Sequence, residues 1–306
     1  MQYPDTSASI FACAALLAFT VEALFAKYVI DYRWLGLLRL NAWRNMVGLP
    51  VYLLIFLFWE VQESPPFQLD KLDYVNLGLA SVCYVASNLL YLVSLNGLDL
   101  SVFGALFNLR LAFSALLAAA FAGETLGAFE ITAIFFILLG SLGANYRPFG
   151  KTFLKLDLNF AAAIGCMTCL ALMGLFIKKA ALTSPQHIIT IGLLSASFLF
   201  ALLSWPFTKA KALNLPARQT NRGVWRISVF AMAICGLLGT VLVNFAYAHN
   251  VAITAAIISV PLASFAAIGL SVLRPGSLEA HPRRVYLIRG SSALVAAIAA
   301  ASLTLL

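Results

Sequence analysis

Residues 7–30, SASIFACAALLAFTVEALFAKYVI, decide the fold class, because this apolar stretch contains only Glu22 and Lys27 as charged residues. A helix that crosses the hydrocarbon core of a bilayer needs roughly 20 predominantly apolar residues. The stretch is too long for the apolar region of a cleavable signal, and no Lys or Arg precedes it. We therefore expect a first membrane span that stays attached to the chain.

Nine further stretches of this kind follow, separated by charged or proline-containing breaks. The ten predicted spans lie at 7–30, 35–59, 73–95, 99–122, 126–146, 157–181, 185–207, 224–248, 250–273 and 284–306. Most connections are short, which leaves no room for a separate domain outside the bilayer. The prediction is an all-α membrane protein with ten transmembrane helices.

The composition of the 306 residues agrees with this fold class, since 62% are hydrophobic and only 10% are charged. An average soluble domain carries about 25% charged residues. So few polar side chains exclude both a soluble globular protein and a disordered one. The five cysteines lie within apolar runs, which excludes a secreted disulfide scaffold. The net charge of +8 is explained by loop residues that set membrane orientation, and nucleic acid is not expected as a partner.

Basic residues concentrate in the connections that follow odd-numbered spans. The members of this group are Lys27, Arg33, Arg147, Lys151, Lys155, Lys209, Lys211, Arg218, Arg222, Arg274, Arg283 and Arg284. The connections after even-numbered spans carry mainly acidic residues. Because cytoplasmic loops carry the excess of Lys and Arg, this asymmetry predicts that both termini face away from the cytoplasm.

The chain repeats itself weakly at an interval of about half its length. Asn88-Leu-Leu-Tyr91 in the third span matches Asn244-Phe-Ala-Tyr247 in the eighth. The spans accordingly divide into two sets of five, residues 1–146 and residues 147–306. An odd number of spans in each half forces the halves into inverted orientations, and inverted repeats around a site near the bilayer midplane are a recurrent transporter plan.

Several short features lie at recurring places in these halves: Arg44 in the second span, Gly123-Glu124 after the fourth, and Pro261 in the ninth. With two five-helix halves, they resemble the EamA-type branch of the drug/metabolite transporter superfamily over nearly the whole chain. The sequence departs from the family pattern at two places. Asn108 lies at the first-half position equivalent to Pro261, and Pro275-Gly276-Ser277 lies where a second Gly-Glu is expected. The resemblance implies a ten-helix carrier of small organic solutes. It also implies cytoplasmic termini, the opposite of the charge asymmetry.

Three charged side chains lie well inside predicted spans: Glu22 in the first, Arg44 in the second and Arg110 near the centre of the fourth. A charged residue in the middle of a membrane helix costs about 2.5–3.5 kcal/mol on insertion scales. We therefore expect all three to point into the bundle. Two roles are open for Glu22: it could form a structural ion pair, or its carboxylate could exchange a proton during transport.

Polar residues at helical spacing share faces with these charges. The candidate substrate-binding residues are Arg44, Tyr84, Asn88, Tyr91, Asn108, Arg110, Asn244 and Tyr247, with Glu22 as the candidate for proton coupling. Hydrogen bonding between packed helices is the alternative role for such polar groups. Two guanidiniums and one carboxylate leave a net charge of +1, and arginine binds carboxylate or phosphate in a bidentate manner. This charge predicts an anionic or zwitterionic solute, and replacing Arg110 with Ala is expected to abolish transport.

The remaining polar residues give weaker indications of a functional role. The three histidines, His187, His249 and His281, are too scattered for a metal site, so no metal is predicted. No glycine-rich phosphate loop follows a strand, and no cofactor is expected. Arg39 and Arg289 lie within snorkelling distance of the interface, where structural roles are expected.

These observations predict a carrier that moves a small polar metabolite across the cell (inner) membrane by alternating access. Its expected partners are the small-molecule solute and the lipid bilayer. The alternative is a flippase for lipid-linked sugars or phospholipid headgroups. An enzyme is not expected, because the spans contain no Ser/His/Asp set and no paired carboxylates. The sequence leaves open the substrate, the direction of transport and whether two copies pair as a homodimer.

Overall fold

The computed structural model describes residues 4–31, 36–59, 71–122, 126–146, 157–180, 186–208, 222–249, 251–274 and 278–305. Within these ranges the chain is helical and contains no β-strand. The helices are α1 (Pro4–Asp31), α2 (Leu37–Trp59), α3 (Lys71–Gly97), α4 (Leu100–Leu106), α5 (Leu109–Ala122), α6 (Ala128–Ala144), α7 (Leu158–Ala180), α8 (Gln186–Ser204), α9 (Arg222–His249), α10 (Val251–Ile258), α11 (Leu262–Leu273) and α12 (Arg283–Leu305). A short 3-10 helix, Trp205–Thr208, extends α8.

The predicted fold class of ten transmembrane helices is confirmed. Each predicted span corresponds to helical structure whose ends lie within three residues of the prediction. Eight spans are long and apolar enough to cross a membrane, and the shorter apolar helix α6 and the 23-residue α2 complete the set of ten. Large apolar side chains such as Leu203, Phe207 and Leu273 are more than 70% exposed on the outside of the bundle. This is the surface that lipid covers in a membrane protein.

The fourth and ninth spans are each broken into two helices, which the hydropathy pattern did not predict. In the ninth span the break separates α10 from α11 at Pro261, because a proline lacks a backbone N–H and clashes with the preceding turn. In the fourth span the break separates α4 from α5 at Asn108, the position equivalent to Pro261. There the N–H of Asn108 donates to the carbonyl of Ala105 at 3.4 Å, a long bond of the tighter 3-10 type.

The most extensive helix contacts join the first half of the chain to the second. The pairs are α1 with α9, α2 with α8, α3 with α7, and α6 with α12, and α4 also packs against α11. If each span is exchanged for the span five places away, this set of pairs is unchanged. Two inverted repeats predict such a pairing. The division into repeats at residues 1–146 and 147–306 stays a prediction.

Small residues allow the helices to approach closely at one of these contacts. A Cβ on Gly140 of α6 would lie 2.6 Å from the carbonyl oxygen of Ser292 on α12. Three buried alanines, Ala105, Ala144 and Ala293, form a cluster from α4, α6 and α12 beside it. Close backbone packing of this kind is the usual way in which membrane helices associate. It holds α12 against α4 and α6.

Candidate functional site

The interior of the bundle contains an ion pair between Glu22 on α1 and Arg44 on α2. Glu22 is 4% exposed, and the side chain of Arg44 is 12% exposed. Nη1 of Arg44 donates a hydrogen bond of 3.2 Å to Oδ1 of Asn88. The guanidinium carbon lies 5.4 Å from the ring centre of Tyr91, within cation–π distance. Glu22, Arg44, Asn88 and Tyr91 are called the central site below.

Helix α9 borders the central site through Gly236. A Cβ at this position would lie 3.0 Å from Cδ of Glu22 and 3.2 Å from Nη2 of Arg44. These distances are shorter than ordinary van der Waals contacts. Glycine at this position therefore lets α9 pack directly against the ion pair without displacing it.

A small cavity lies beside Arg44. Its volume is about 20 Å³, and Arg44, Asn45, Gly48, Tyr84, Leu194, Ser197, Ala233, Gly236 and Leu237 line it. One water molecule needs about 10–15 Å³ by this measure, so the cavity has room for roughly one water. Of the predicted residues, Tyr84 is thus brought to Arg44, and this cavity is too small for a metabolite.

Several buried polar atoms in this region have no hydrogen-bond partner among the described residues. They are Nδ2 of Asn88, Nδ2 of Asn41, Oγ of Ser197 and Oε1 of Glu22, whose contact with Arg44 is an ion pair. Ser197 lines the cavity, and Asn41 contacts the cavity residue Asn45 through its Oδ1. An unsatisfied buried polar group costs about 1–3 kcal/mol. The two amide nitrogens can only donate, so each needs an acceptor such as a water or a solute oxygen.

Arg110 lies at a separate place. With Phe107, Leu111, Ala255, Ile258 and Ser259 it lines a cavity of about 10 Å³ between the break of the fourth span and α10. Its guanidinium carbon is 6.0 Å from the ring centre of Phe107. Arg44 and Arg110 both lie within electrostatic range of Cys166 on α7. The two arginines therefore share the interior of the bundle, but they do not line one cavity.

The two remaining predicted asparagines are placed differently from Asn88. Nδ2 of Asn244 donates a hydrogen bond of 2.7 Å to Oγ1 of Thr190, which joins α9 to α8. This is the interhelical contact that the sequence left as the alternative. Asn108 is 1% exposed at the break of the fourth span, and neither of its side-chain polar atoms has a partner among the described residues. The side chain of Tyr247, the pair Gly123-Glu124 and the segment Pro275-Gly276-Ser277 lie outside the described residues.

A second group of buried charges, which the sequence did not predict, lies where the α3–α4 connection meets the connection between α11 and α12. Nη1 of Arg289 lies 2.9 Å from Oδ2 of Asp99 and 3.4 Å from Oε2 of Glu279. Nε2 of His281 lies 2.9 Å from the same oxygen of Asp99. The backbone N–H and the hydroxyl of Ser101 donate to Glu279 at 2.8 and 2.7 Å. Asp99, Ser101, Glu279, His281 and Arg289 are called the end cluster below.

The end cluster corrects the expectation for Arg289 and adds a finding for His281. Arg289 does not snorkel to the interface, since it is fully buried and paired with carboxylates. His281 is joined by carboxylates: its nitrogen and the oxygens of Asp99 and Glu279 lie within 4.8 Å of one another. Such a group has the ligand types of a metal site. Here the guanidinium of Arg289 already contacts both carboxylates and supplies the positive charge that a metal would bring.

The two carboxyl groups of the end cluster differ in their pKa values. Burial acts to raise the pKa of Asp99, but the hydrogen bond with His281 and the charge of Arg289 outweigh burial, and the pKa is held well below its ordinary value. Burial, joined by the negative charge of Asp99, raises the pKa of Glu279 against the hydrogen bonds from Ser101. The pKa values of two neighbouring carboxyl groups diverge in this way when the environment favours the ionised form of one of them.

Lys27 closes the end of α3 nearby. Its Nζ donates hydrogen bonds of 3.0 Å to the carbonyls of Leu95 and Leu98, and it lies 3.2 Å from Oδ1 of Asp31. Lys27 is 6% exposed. It therefore caps a helix end inside the protein and does not belong with the loop charges that bear on orientation.

Comparison with known proteins agrees with this architecture. Residues 6–146 match the model of the EamA-like transporter family. A solved structure whose title reads only "Crystal structure of protein" superposes with a TM-score of 0.63 and 17% sequence identity, over 98% of each chain. At this identity the likeness shows the fold of the whole chain and nothing finer. No curated protein matches the sequence.

Proposed function

We propose that this multi-pass membrane protein is a secondary carrier of small polar metabolites with an anionic group. It would act by alternating access across the cell (inner) membrane. The premise is that residues 6–146 match the EamA-like transporter family. The observation that carries the proposal is the position of Arg44, buried within the bundle beside a cavity and near donors that have no acceptor among the described residues.

The chemistry of Arg44 fits an oxyanion. A guanidinium has five N–H donors in a planar fork that matches a carboxylate or phosphate. In the structure Nη2 pairs with Glu22 and Nη1 with Asn88. Nδ2 of Asn88, a donor with no partner among the described residues, lies on the same amide that contacts Arg44. A solute carboxylate in place of Glu22 would meet donors from both side chains.

The small volume of the cavity requires the helices to move before a solute binds. The ion pair lies where α1 and α2, of the first half, face α9, of the second. The fourth and ninth spans are both interrupted, and interrupted helices in corresponding halves are the elements that move or bind ligand in many carriers. Rocking of one half against the other would open the central site.

A thermal-shift measurement on the purified protein in detergent tests the binding site. Sodium benzoate is expected to raise the melting temperature, because a ligand that binds only the folded state stabilises it by mass action. Benzamide, its uncharged analogue, is expected to have no effect. Arg44→Ala should lose the benzoate response, whereas Arg226→Ala, a change at an exposed arginine of α9, should keep it. A response that survives Arg44→Ala would exclude this anion site.

Transport by proteoliposomes tests the carrier itself. Uptake of radiolabelled carboxylates and amino acids from a panel is expected for the wild type and not for Arg44→Ala. Arg110→Ala tests whether the second guanidinium is required as well. If no panel member is transported but fluorescent phospholipids exchange between leaflets, the protein is a flippase and the carrier proposal is wrong.

A further inference from the structure

We infer that Glu22 takes up one proton when a solute anion binds Arg44, so that the protein cotransports an anion together with a proton. This inference rests on the proposed function, since it assigns the coupling ion of the same site. Its basis is that Glu22 and the solute compete for a single guanidinium.

The contacts of Glu22 define this competition. Among the described residues, Arg44 is the only cationic side chain that pairs with Glu22. Gly236 of α9 lies against both members of the pair and has no side chain to place between them. Asn88 and Tyr91 contact Arg44 from α3 and offer Glu22 no positive charge. When the guanidinium turns to a solute, the carboxylate loses its counter-ion.

A carboxylate that loses its counter-ion inside the membrane does not remain ionised at low cost. A buried ionisable group in this situation takes the neutral form. Water on the open side of the carrier supplies the proton, which forms an O–H bond on Glu22, and the solute oxygens accept the hydrogen bonds that Arg44 gave to Glu22. The charge of the site is then unchanged. One carboxylate and one guanidinium are replaced by a neutral carboxyl, a guanidinium and a bound anion.

The other titratable groups near the pair do not compete for this role. Tyr84 and Tyr91 on α3 and Cys235 on α9 lie within electrostatic range of Arg44 or Glu22. Cys166 on α7 lies within range of Arg44 as well. Phenol and thiol groups are neutral near pH 7 and lose a proton only at higher pH. Glu22 is the carboxyl of this set and therefore the group able to accept a proton.

The linkage between the two ligands predicts the direction of the pH effect. If the anion and the proton occupy the site together, each strengthens the binding of the other. The affinity for an anion then falls as pH rises, by up to about tenfold for each pH unit while one proton is taken up per anion. A carrier in which proton and solute exclude each other shows the opposite slope.

Isothermal titration of the purified wild type with benzoate measures this linkage. The titration is run at about pH 6 and about pH 8, where benzoate stays ionised, and in two buffers with different heats of ionisation. The expected result at the higher pH is uptake of about one proton per bound benzoate, with weaker binding than at the lower pH. Glu22→Gln should bind benzoate without proton uptake and with one affinity at both pH values. Glu130→Gln, a carboxyl on α6 outside the central site, should behave like the wild type.

The outcomes separate this inference from the proposed function. Benzoate binding with no proton uptake and equal affinity at both pH values overturns the coupling and leaves the anion site in place. No benzoate binding by the wild type at either pH overturns the proposed function and the coupling with it. If Glu22→Gln does not fold, the proton count of the wild type decides the question alone.

Discussion

The central site and the end cluster each bury an arginine against carboxylates, but they differ in what surrounds the charges. In the end cluster Arg289 contacts two carboxylates and the hydroxyl of Ser101, and Ser101 also gives Glu279 two hydrogen bonds. In the central site Arg44 has one carboxylate and one amide, with a cavity at its side. The first arrangement is crowded with fixed partners. In the second arrangement, Arg44 can exchange its one carboxylate partner for a solute anion.

Unpartnered donors alone do not distinguish the two places. Nε and Nη2 of Arg289 lack partners among the described residues, as does Nδ2 of Asn88. The difference lies in the carboxylates and in the space. Two acids hold Arg289, which is fully buried, whereas Arg44 has a single acid and an adjacent cavity, so a solute anion can replace that acid as its partner. We interpret the end cluster as structural and the central site as functional, and this contrast orders the following predictions.

The largest effect is expected for Arg289→Ala. Removing one partner of a buried ion pair leaves the other charges uncompensated and costs about 3–5 kcal/mol. Two carboxylates remain in this case, so the melting temperature of the protein in detergent should fall steeply or folded protein should be lost. Arg226→Ala is the matched control, since Arg226 is exposed. Normal stability of Arg289→Ala would remove the structural interpretation of the end cluster.

Within the end cluster, Asp99→Asn is expected to cost more than Glu279→Gln at neutral pH. The structure favours the ionised form of Asp99, whose pKa is lowered, and disfavours that of Glu279, whose pKa is raised. A hydrogen bond to a charged group contributes about 1.5–3 kcal/mol, and Asp99→Asn loses the charge of two such contacts. Melting temperatures of the two variants at pH 7 provide the comparison, and the reverse order would contradict the assignment.

Acid should destabilise the wild type through Asp99. Because its pKa in the folded protein lies below the ordinary value, Asp99 adds stability above about pH 4. This contribution is lost as pH falls further toward the lowered pKa. Glu279 acts in the other direction, since a raised pKa favours folding as it becomes protonated. The melting temperature is thus expected to hold down to about pH 4 and then to fall, and Asp99→Asn should flatten that fall.

In the central site, Arg44→Ala is expected to cost less stability than Arg289→Ala. The single carboxylate left behind, Glu22, can take up a proton, and a buried neutral polar group without a partner costs about 1–3 kcal/mol. The loss should therefore be smaller although the binding of benzoate disappears. A melting temperature for Arg44→Ala as low as that of Arg289→Ala would mean that both arginines are structural.

The smallest effect is expected for Gly236→Ala. The added Cβ would lie 3.0–3.2 Å from atoms of Glu22 and Arg44, so these flexible side chains must shift by a few tenths of an ångström. We expect benzoate affinity to fall severalfold, or about 1 kcal/mol, with the fold retained. Gly174→Ala on α7, where a Cβ meets no atom within 4 Å, is the control and should leave affinity unchanged. Equal affinities in the two variants would place the binding site away from Gly236.

Much of the fold follows from local features of the sequence. The ten spans were predictable because hydropathy over roughly 20 residues decides whether a helix lies in lipid. The break at Asn108 was not, because asparagine is tolerated within helices and nothing local marks the interruption. Pro261 was visible as a helix breaker, but the sequence analysis used it only as a family feature.

The candidate site was predictable in part. Glu22 and Arg44 were expected to point inward, and the structure pairs them with each other. Arg110 was expected beside them, but it lines a different cavity. Asn244 bonds to Thr190 and serves helix packing. Residue type and helical face indicate that a polar group is buried, but they do not identify its partner.

The sequence by itself determined that this protein is a bundle of ten membrane helices and that its few mid-span charges are internal, because the bilayer imposes its cost on each segment separately. Only the tertiary structure decided which charges meet. Asp99 and Arg289 are far apart in the chain and carry no shared pattern, and they come together only because α4 packs against α12. The same holds for the pairing of Glu22 with Arg44, since the distance between two charges depends on how whole helices pack and not on the composition of either helix.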